Sequence, residues 1–271
     1  MTQKEVEFCC AMPELVGKDR RLSRKSRAVF LSDTKWLTGD TIKIAFIGGT
    51  PEQWDHVEKT ANIWLRYANL VFQWRVSVQD SDVRISFVKG AGSWSFMGSQ
   101  ARGVDKDRAT MNFGWLAEKP NASDTGTILH EFGHCLGLAH EHCSPNSTLT
   151  WKRDVVIQSL SGPPNNWSVD TIEANVFAKY NKNDPTVAAS LFDSKSIMLY
   201  SFPASWSQEG IATNSNSTLS RDDKLMMTVM YPRQGVTVDV DDEPVKVSKC
   251  FCCPSGAKTV MNAIARKMKK N

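Results

Sequence analysis

At 271 residues, with 41% hydrophobic residues and a formal net charge of +4, the chain has the composition of a globular protein that can bury one substantial core or two lobes around a cleft. Its excess basic charge sits in two end segments, Lys18 to Arg27 and Lys246 to Lys270, so the middle offers no broad basic face and no nucleic-acid partner is expected. No apolar run is long enough to span a bilayer and the first twenty residues lack a leader pattern, so the chain reads as cytoplasmic or exported by a non-standard route.

Residues 1–35 carry Cys9 and Cys10 and two basic runs without a sustained apolar period; they read as an N-terminal extension and a candidate prosegment. Thr38-Gly39-Asp40 reads as a turn. The alternating run Ile42 to Ile47 predicts a strand, and Gly48-Gly49-Thr50-Pro51 then breaks it and supplies a helix start. From about Pro51 to Asn69 the spacing of Trp54, Val57, Ala61, Trp64, Leu65 and Ala68 predicts one long helix with an apolar stripe. On it His56 is a lone histidine with a structural role. Strands are expected at Val71 to Val76, Val83 to Val88, Ser93 to Met97 and Thr110 to Phe113. A second long helix, capped by Ser123 or Asp124, runs to about Leu136.

Past residue 140 the texture turns richer in Asn, Ser and Pro, with helices expected at Lys152 to Leu160, Asp170 to Tyr180 and Leu219 to Met230. Residues 36–140 thus form an upper subdomain, 141–233 a lower one, and 234–271 a basic tail. The seven cysteines are odd in number and bunched toward the ends, which fits a reducing compartment better than a disulfide framework. In the tail Cys250, Cys252 and Cys253 could be acylated and hold the chain at a membrane, although a solvated tail is the expected reading.

Four of the five histidines fall between residues 130 and 142. His130 and His134 lie at i and i+4, so on a helix both imidazoles share one face and can ligate one tetrahedral ion. Glu131, beside the first ligand, is placed to serve as general base toward a metal-activated water and then as acid toward the leaving amine. Gly137 can take positive φ, end the helix and return His140 to the ion as third ligand, which leaves one position open as catalytic Zn²⁺ requires. By chance such a pattern would occur in roughly one chain in 10^5. Cys135 should face the core, and His142 reads as structural with a cleft role as the alternative.

The string His130-Glu131-Phe132-Gly133-His134-Cys135-Leu136-Gly137-Leu138-Ala139-His140, followed by Glu141, resembles the astacin branch of the metzincins. Ser196-Ile197-Met198-Leu199-Tyr200 is similar to the Met-turn of that family, and Gly92 to Gly98 to its edge strand. The resemblance covers about residues 36–233. It implies an α/β (α+β) metzincin-like catalytic domain: a twisted, mostly parallel five-stranded sheet, two long helices and an irregular C-terminal lobe. It further implies zinc-dependent endopeptidase activity on protein or peptide substrates, Met198 as the floor of the metal site, and Tyr200 as a switchable ligand that supports the oxyanion. Ser93, Trp94 and Ser95 would pair with extended substrate, and Glu141 would receive the amino terminus freed on activation. The chain departs from the pattern at Leu199, usually histidine, at Ser93, usually a disulfide cysteine, and at Cys143 to Asn146, usually Arg/Asp-rich. Cys9 or Cys10 could occupy the open zinc position and hold the enzyme latent. A catalytically silent zinc-containing module that binds peptide along the edge strand is the alternative reading.

Overall fold

The computed structural model describes residues 32–234 apart from 164, 182 and 190. Cys9, Cys10, Cys250, Cys252 and Cys253 lie outside the described residues.

β1 (Thr41–Ile47) buries Ile42, Ile44 and Ala45, and sits between two parallel neighbours, β2 (Val71–Trp74) and β3 (Val83–Ser86). β3 continues the parallel set to β5 (Met111–Phe113), and β4 (Ser93–Ser95) closes the sheet as its antiparallel edge, giving the order β2-β1-β3-β5-β4. The five strands fall where the sequence predicted them, the last four in chain order being shorter than expected, with three parallel pairings and one antiparallel.

Helix α1 (Pro51–Ala61) starts at Thr50, whose hydroxyl accepts from the Gln53 N–H while the Gln53 side chain accepts from the Thr50 N–H. The long helix expected to reach Asn69 stops at Ala61. The chain tightens there into a single 3-10 turn, Trp64–Arg66, which drives the Trp64 indole against the second helix, its Nε1–H donating 3.1 Å to the Leu129 carbonyl. The apolar stripe therefore serves two elements, because burying Trp64 outweighs one further turn of helix. That second helix, α2 (Thr125–Cys135), is not capped by Asp124 as expected. Asp124 instead accepts from the Asn121 N–H at 2.8 Å and closes the 3-10 turn that precedes it.

Beyond α2 come α3 (Arg153–Ser161), the short α4 (Val169–Ile172) and α5 (Arg221–Met230). The single helix expected at Asp170 to Tyr180 is broken: α4 passes into a π turn over Glu173–Phe177. One apolar cluster joins the sheet, α1, α2 and α5; a second gathers Leu149, Val156, Ile172, Leu199 and Trp206 below it. No helix among the described residues is long and apolar enough to cross a membrane.

Two polar devices steady the scaffold. Arg84, fully buried on β3, donates from Nε to the Arg108 carbonyl at 2.7 Å and from Nη2 to the Val104 carbonyl at 3.0 Å, pinning the segment between β4 and β5 to the sheet. At the far end of α2 the last carbonyls receive donors from both ends of the domain: the Trp36 indole donates 2.7 Å to Cys135 O, and the Tyr231 hydroxyl donates 2.8 Å to Leu136 O.

Candidate metal centre

α2 places His130 and His134 one turn apart on its buried face, and Glu131 beside them is fully buried as well. The helix ends as Gly137 adopts φ +97°, with the Leu138 N–H turning back to the Gly133 carbonyl at 2.9 Å. An L-residue takes that conformation only under strain. The turn brings His140 round until its Nε2 stands 3.0 Å from His134 Nε2, and one ligand nitrogen from each of His130, His134 and His140 lies within 4.8 Å of the others.

The imidazoles are oriented from behind. His130 Nδ1–H donates 2.8 Å to the Ile197 carbonyl and His134 Nδ1–H donates 2.7 Å to the Leu138 carbonyl. Since a carbonyl only accepts, both rings carry their proton on Nδ1 and turn an Nε2 lone pair inward. His130 Nε2 is buried without a hydrogen-bond partner. Inward lone pairs in a dry pocket are costly unless something positive meets them. Neutral nitrogen donors converging from three sides suit Zn²⁺. Burial also pushes the His130 imidazole down to about 4 and those of His134 and His140 well below their usual value, the latter two aided by neighbouring imidazoles. The rings are thus neutral, as ligands must be.

Tyr200 packs its ring 4.3 Å from that of His140 and 5.9 Å from that of His130, and its carbonyl accepts from the Thr213 hydroxyl. Met198 lies directly under α2: a Cβ on Gly133 would fall 2.3 Å from its sulfur, so only glycine allows this approach. The turn carrying Met198 is tied to both sides of the centre, with Ile197 O accepting from His130 and Met198 O accepting from the Glu141 N–H at 3.0 Å. Leu199 points into the lower apolar cluster. On the sheet edge Ser93 and Ser95 are buried, and Trp94 is partly buried beside Phe96.

His142 is fully buried and donates from Nε2 to the Asn175 carbonyl at 2.8 Å, with its ring 4.7 Å from that of Tyr200. Cys143 also reaches the Asn175 carbonyl, 3.7 Å away. This carbonyl lies in the last turn of the segment ending at Phe177, where a helix leaves its final carbonyls without intrahelical partners. Cys135 is buried in the upper core, and burial raises its thiol to about 12, so it is a packing group rather than a nucleophile. Glu141 is buried too, with Oε1 accepting from the Asp193 N–H at 2.9 Å, and burial holds its carboxyl well above the usual range. It lines a small acidic cavity with Asp193, Ser196, Met198, Asp222 and Asp223. Sequence patterning did not single out Gly133, Asn175 or Asp223; for Asp223 the signal was the Ser220-Arg221-Asp222-Asp223 capping string.

Three histidines from a helix and the loop after it, with a glutamate beside the first, form the metal set of a zinc metallopeptidase. Comparison with known proteins narrows the class. The profile of Astacin (Peptidase family M12A) matches residues 30–234. The structure of myroilysin superposes with a TM-score of 0.72 at 35% identity, covering 76% of this chain and 98% of that one. Protein SpAN of Strongylocentrotus purpuratus is 25% identical over 186 residues, 67% of this chain and 27% of its own length. Blastula protease 10 of Paracentrotus lividus is 24% identical over 212 residues, 76% of this chain and 31% of its own. The match therefore spans about a third or less of these two curated relatives. The chain belongs to the astacin family, and its described domain is a zinc metalloendopeptidase domain.

Proposed function

We propose that the protein hydrolyses internal peptide bonds of protein substrates, with His130, His134 and His140 holding one Zn²⁺ and Glu131 moving the proton. The observation that carries this reading is the convergence of three neutral imidazoles, two of them oriented from behind by carbonyls, with Glu131 buried beside the first. Zinc held there supplies Lewis acidity toward the scissile carbonyl and toward water. Glu131 accepts a proton from the attacking water and delivers it to the departing nitrogen, so that one carboxylate serves as base and then acid. Tyr200, packed against His140, offers its phenol hydroxyl to the negative oxygen that develops on the substrate. β4, with one side unpaired among the described residues, offers Ser93 to Ser95 to an extended substrate strand.

Glu131→Ala tests the assignment. The variant should bind zinc at the wild-type stoichiometry and lose at least about a hundredfold in cleavage of an unfolded protein. Equal cleavage by both proteins would overturn the role of Glu131, and no cleavage by wild type would favour the silent peptide-binding module.

A further inference from the structure

Asp223 lies on the first turn of α5, on the far side of the Met198 turn from the metal centre, and is 5% exposed. Its carboxylate collects three neutral donors: the Ser220 N–H at 2.8 Å, the Ser196 hydroxyl at 2.7 Å and the Ile197 N–H at 2.8 Å. The first belongs to the cap of α5, completed by the Asp223 N–H donating 3.0 Å to Ser220 Oγ. A helix cap needs no more than that reciprocal pair. The other two bonds reach 27 and 26 residues back along the chain, into the turn beneath the metal site.

Ile197 is consequently held from both sides. Its N–H is fixed by Asp223, and its carbonyl accepts the His130 Nδ1–H at 2.8 Å. Ser196 is secured as well, its hydroxyl also accepting from the Met198 N–H at 3.0 Å and its carbonyl from the Asn216 amide at 2.8 Å. A carboxylate accepting from a backbone N–H makes a stronger and shorter bond than a neutral acceptor does, and it sets the direction of the backbone that follows. Moving Ile197 by a few tenths of an ångström rotates the carbonyl to which the His130 ring is keyed. Only rings keyed in this way present their lone pairs to a common point.

We propose that Asp223 is a positioning residue for the metal centre: by clamping Ser196 and Ile197 it fixes the carbonyl that orients His130 toward zinc. The proposal rests on His130 being a zinc ligand. It adds that the affinity of the site is set in part by a carboxylate on a different helix, which touches neither the ion nor substrate.

The test compares Asp223→Asn with Ser220→Ala in the full chain. Ser220→Ala removes the cap oxygen and leaves both bonds from the Met198 turn to Asp223 intact. Zinc affinity is measured by competition with a chromophoric chelator, thermal stability is measured on the same samples, and the His130 Nδ1–H resonance is followed by NMR in the zinc-loaded state. Both variants should lose stability. Asp223→Asn should also weaken zinc binding by about tenfold or more and shift the His130 resonance, whereas Ser220→Ala should leave affinity within about twofold and the resonance in place. Equal affinity in the two variants, or an affinity loss that merely tracks melting temperature in both, would reduce Asp223 to a helix cap and overturn the proposal. If Asp223→Asn does not fold, Ser196→Ala removes one of the two clamping bonds and should show the same split. His130→Ala separates the two readings. Undiminished zinc affinity there would remove His130 from the metal set, whereas normal zinc loss in His130→Ala with unchanged affinity in Asp223→Asn would sink the positioning role alone.

Discussion

Replacing Gly133 by alanine would put a methyl group 2.3 Å from the Met198 sulfur, 3.2 Å from its terminal carbon and 3.5 Å from the Trp64 ring. Comfortable separation between such atoms is about 3.5–4.0 Å, so the sulfur must retreat by more than an ångström. Met198 is buried under the helix that carries two of the three histidines and lines the small cavity beside Glu141, so a retreat of the sulfur rearranges the packed floor of the site. Overpacking of this kind costs about 1–3 kcal/mol. The better helix propensity of alanine returns about 1 kcal/mol, leaving a net loss of about 0–2 kcal/mol. Urea denaturation of the zinc-free protein measures it directly. A double-mutant cycle with Met198→Ala sharpens the attribution: that change alone should cost about 2–5 kcal/mol through the void it opens. In the double variant the new methyl enters the space the sulfur left, so its loss should fall short of the sum of the two single losses by about 1 kcal/mol or more. If Gly133→Ala alone stabilised the protein by about 1 kcal/mol, as at an exposed helix position, the close approach of Met198 to α2 would be refuted.

Two other outcomes follow from buried charge and buried imidazole. Arg84→Met keeps most of the side-chain volume but leaves the Arg108 and Val104 carbonyls without their donor; it should cost about 2–4 kcal/mol and raise hydrogen exchange selectively between residues 98 and 110. His142 has its imidazole pushed down to about 4 by burial, against an ordinary value of 6.5. The unfolded chain therefore binds the additional proton across that window, and the stability associated with neutral His142 is complete above pH 6.5 and lost as pH falls toward 4. His142→Phe should remove about 3 kcal/mol of that decline, read as the difference between the two zinc-free proteins in urea midpoints from pH 7 to 4.

The metal centre was legible in the sequence because its parts are local. His130, Glu131 and His134 follow from helix period alone, and Gly137 announces the φ +97° turn that returns His140. The strands were legible for the same reason, as alternation is a short-range pattern. What escaped was set by contacts distant in sequence. Nothing within residues 51–69 says that a helix should stop at Ala61; the reason is the Leu129 carbonyl waiting for the Trp64 indole. Nothing within residues 170–180 calls for a π turn, near the end of which the Asn175 carbonyl is taken by His142 and Cys143. Asp223 closes the cap of α5 within four residues, yet two of its three acceptor bonds come from the Met198 turn. The apolar stripe and the helix pattern were each read correctly as types, and each was then bent by a partner that no short window contains.

The end of α2 gives the order in which this site can be finished. Its last carbonyls are satisfied by Trp36, near the start of the described domain, and by Tyr231, near its close, with the Tyr231 hydroxyl also accepting from the Trp36 N–H at 3.3 Å. This knot is tied where the chain must turn to send His140 back toward its fellow ligands. A nascent chain can write the whole histidine motif by residue 140, but it lacks the donor that closes the helix beneath that motif until residue 231 has been made. The donor set is encoded in eleven consecutive residues, and its completion waits for nearly all the rest of the domain.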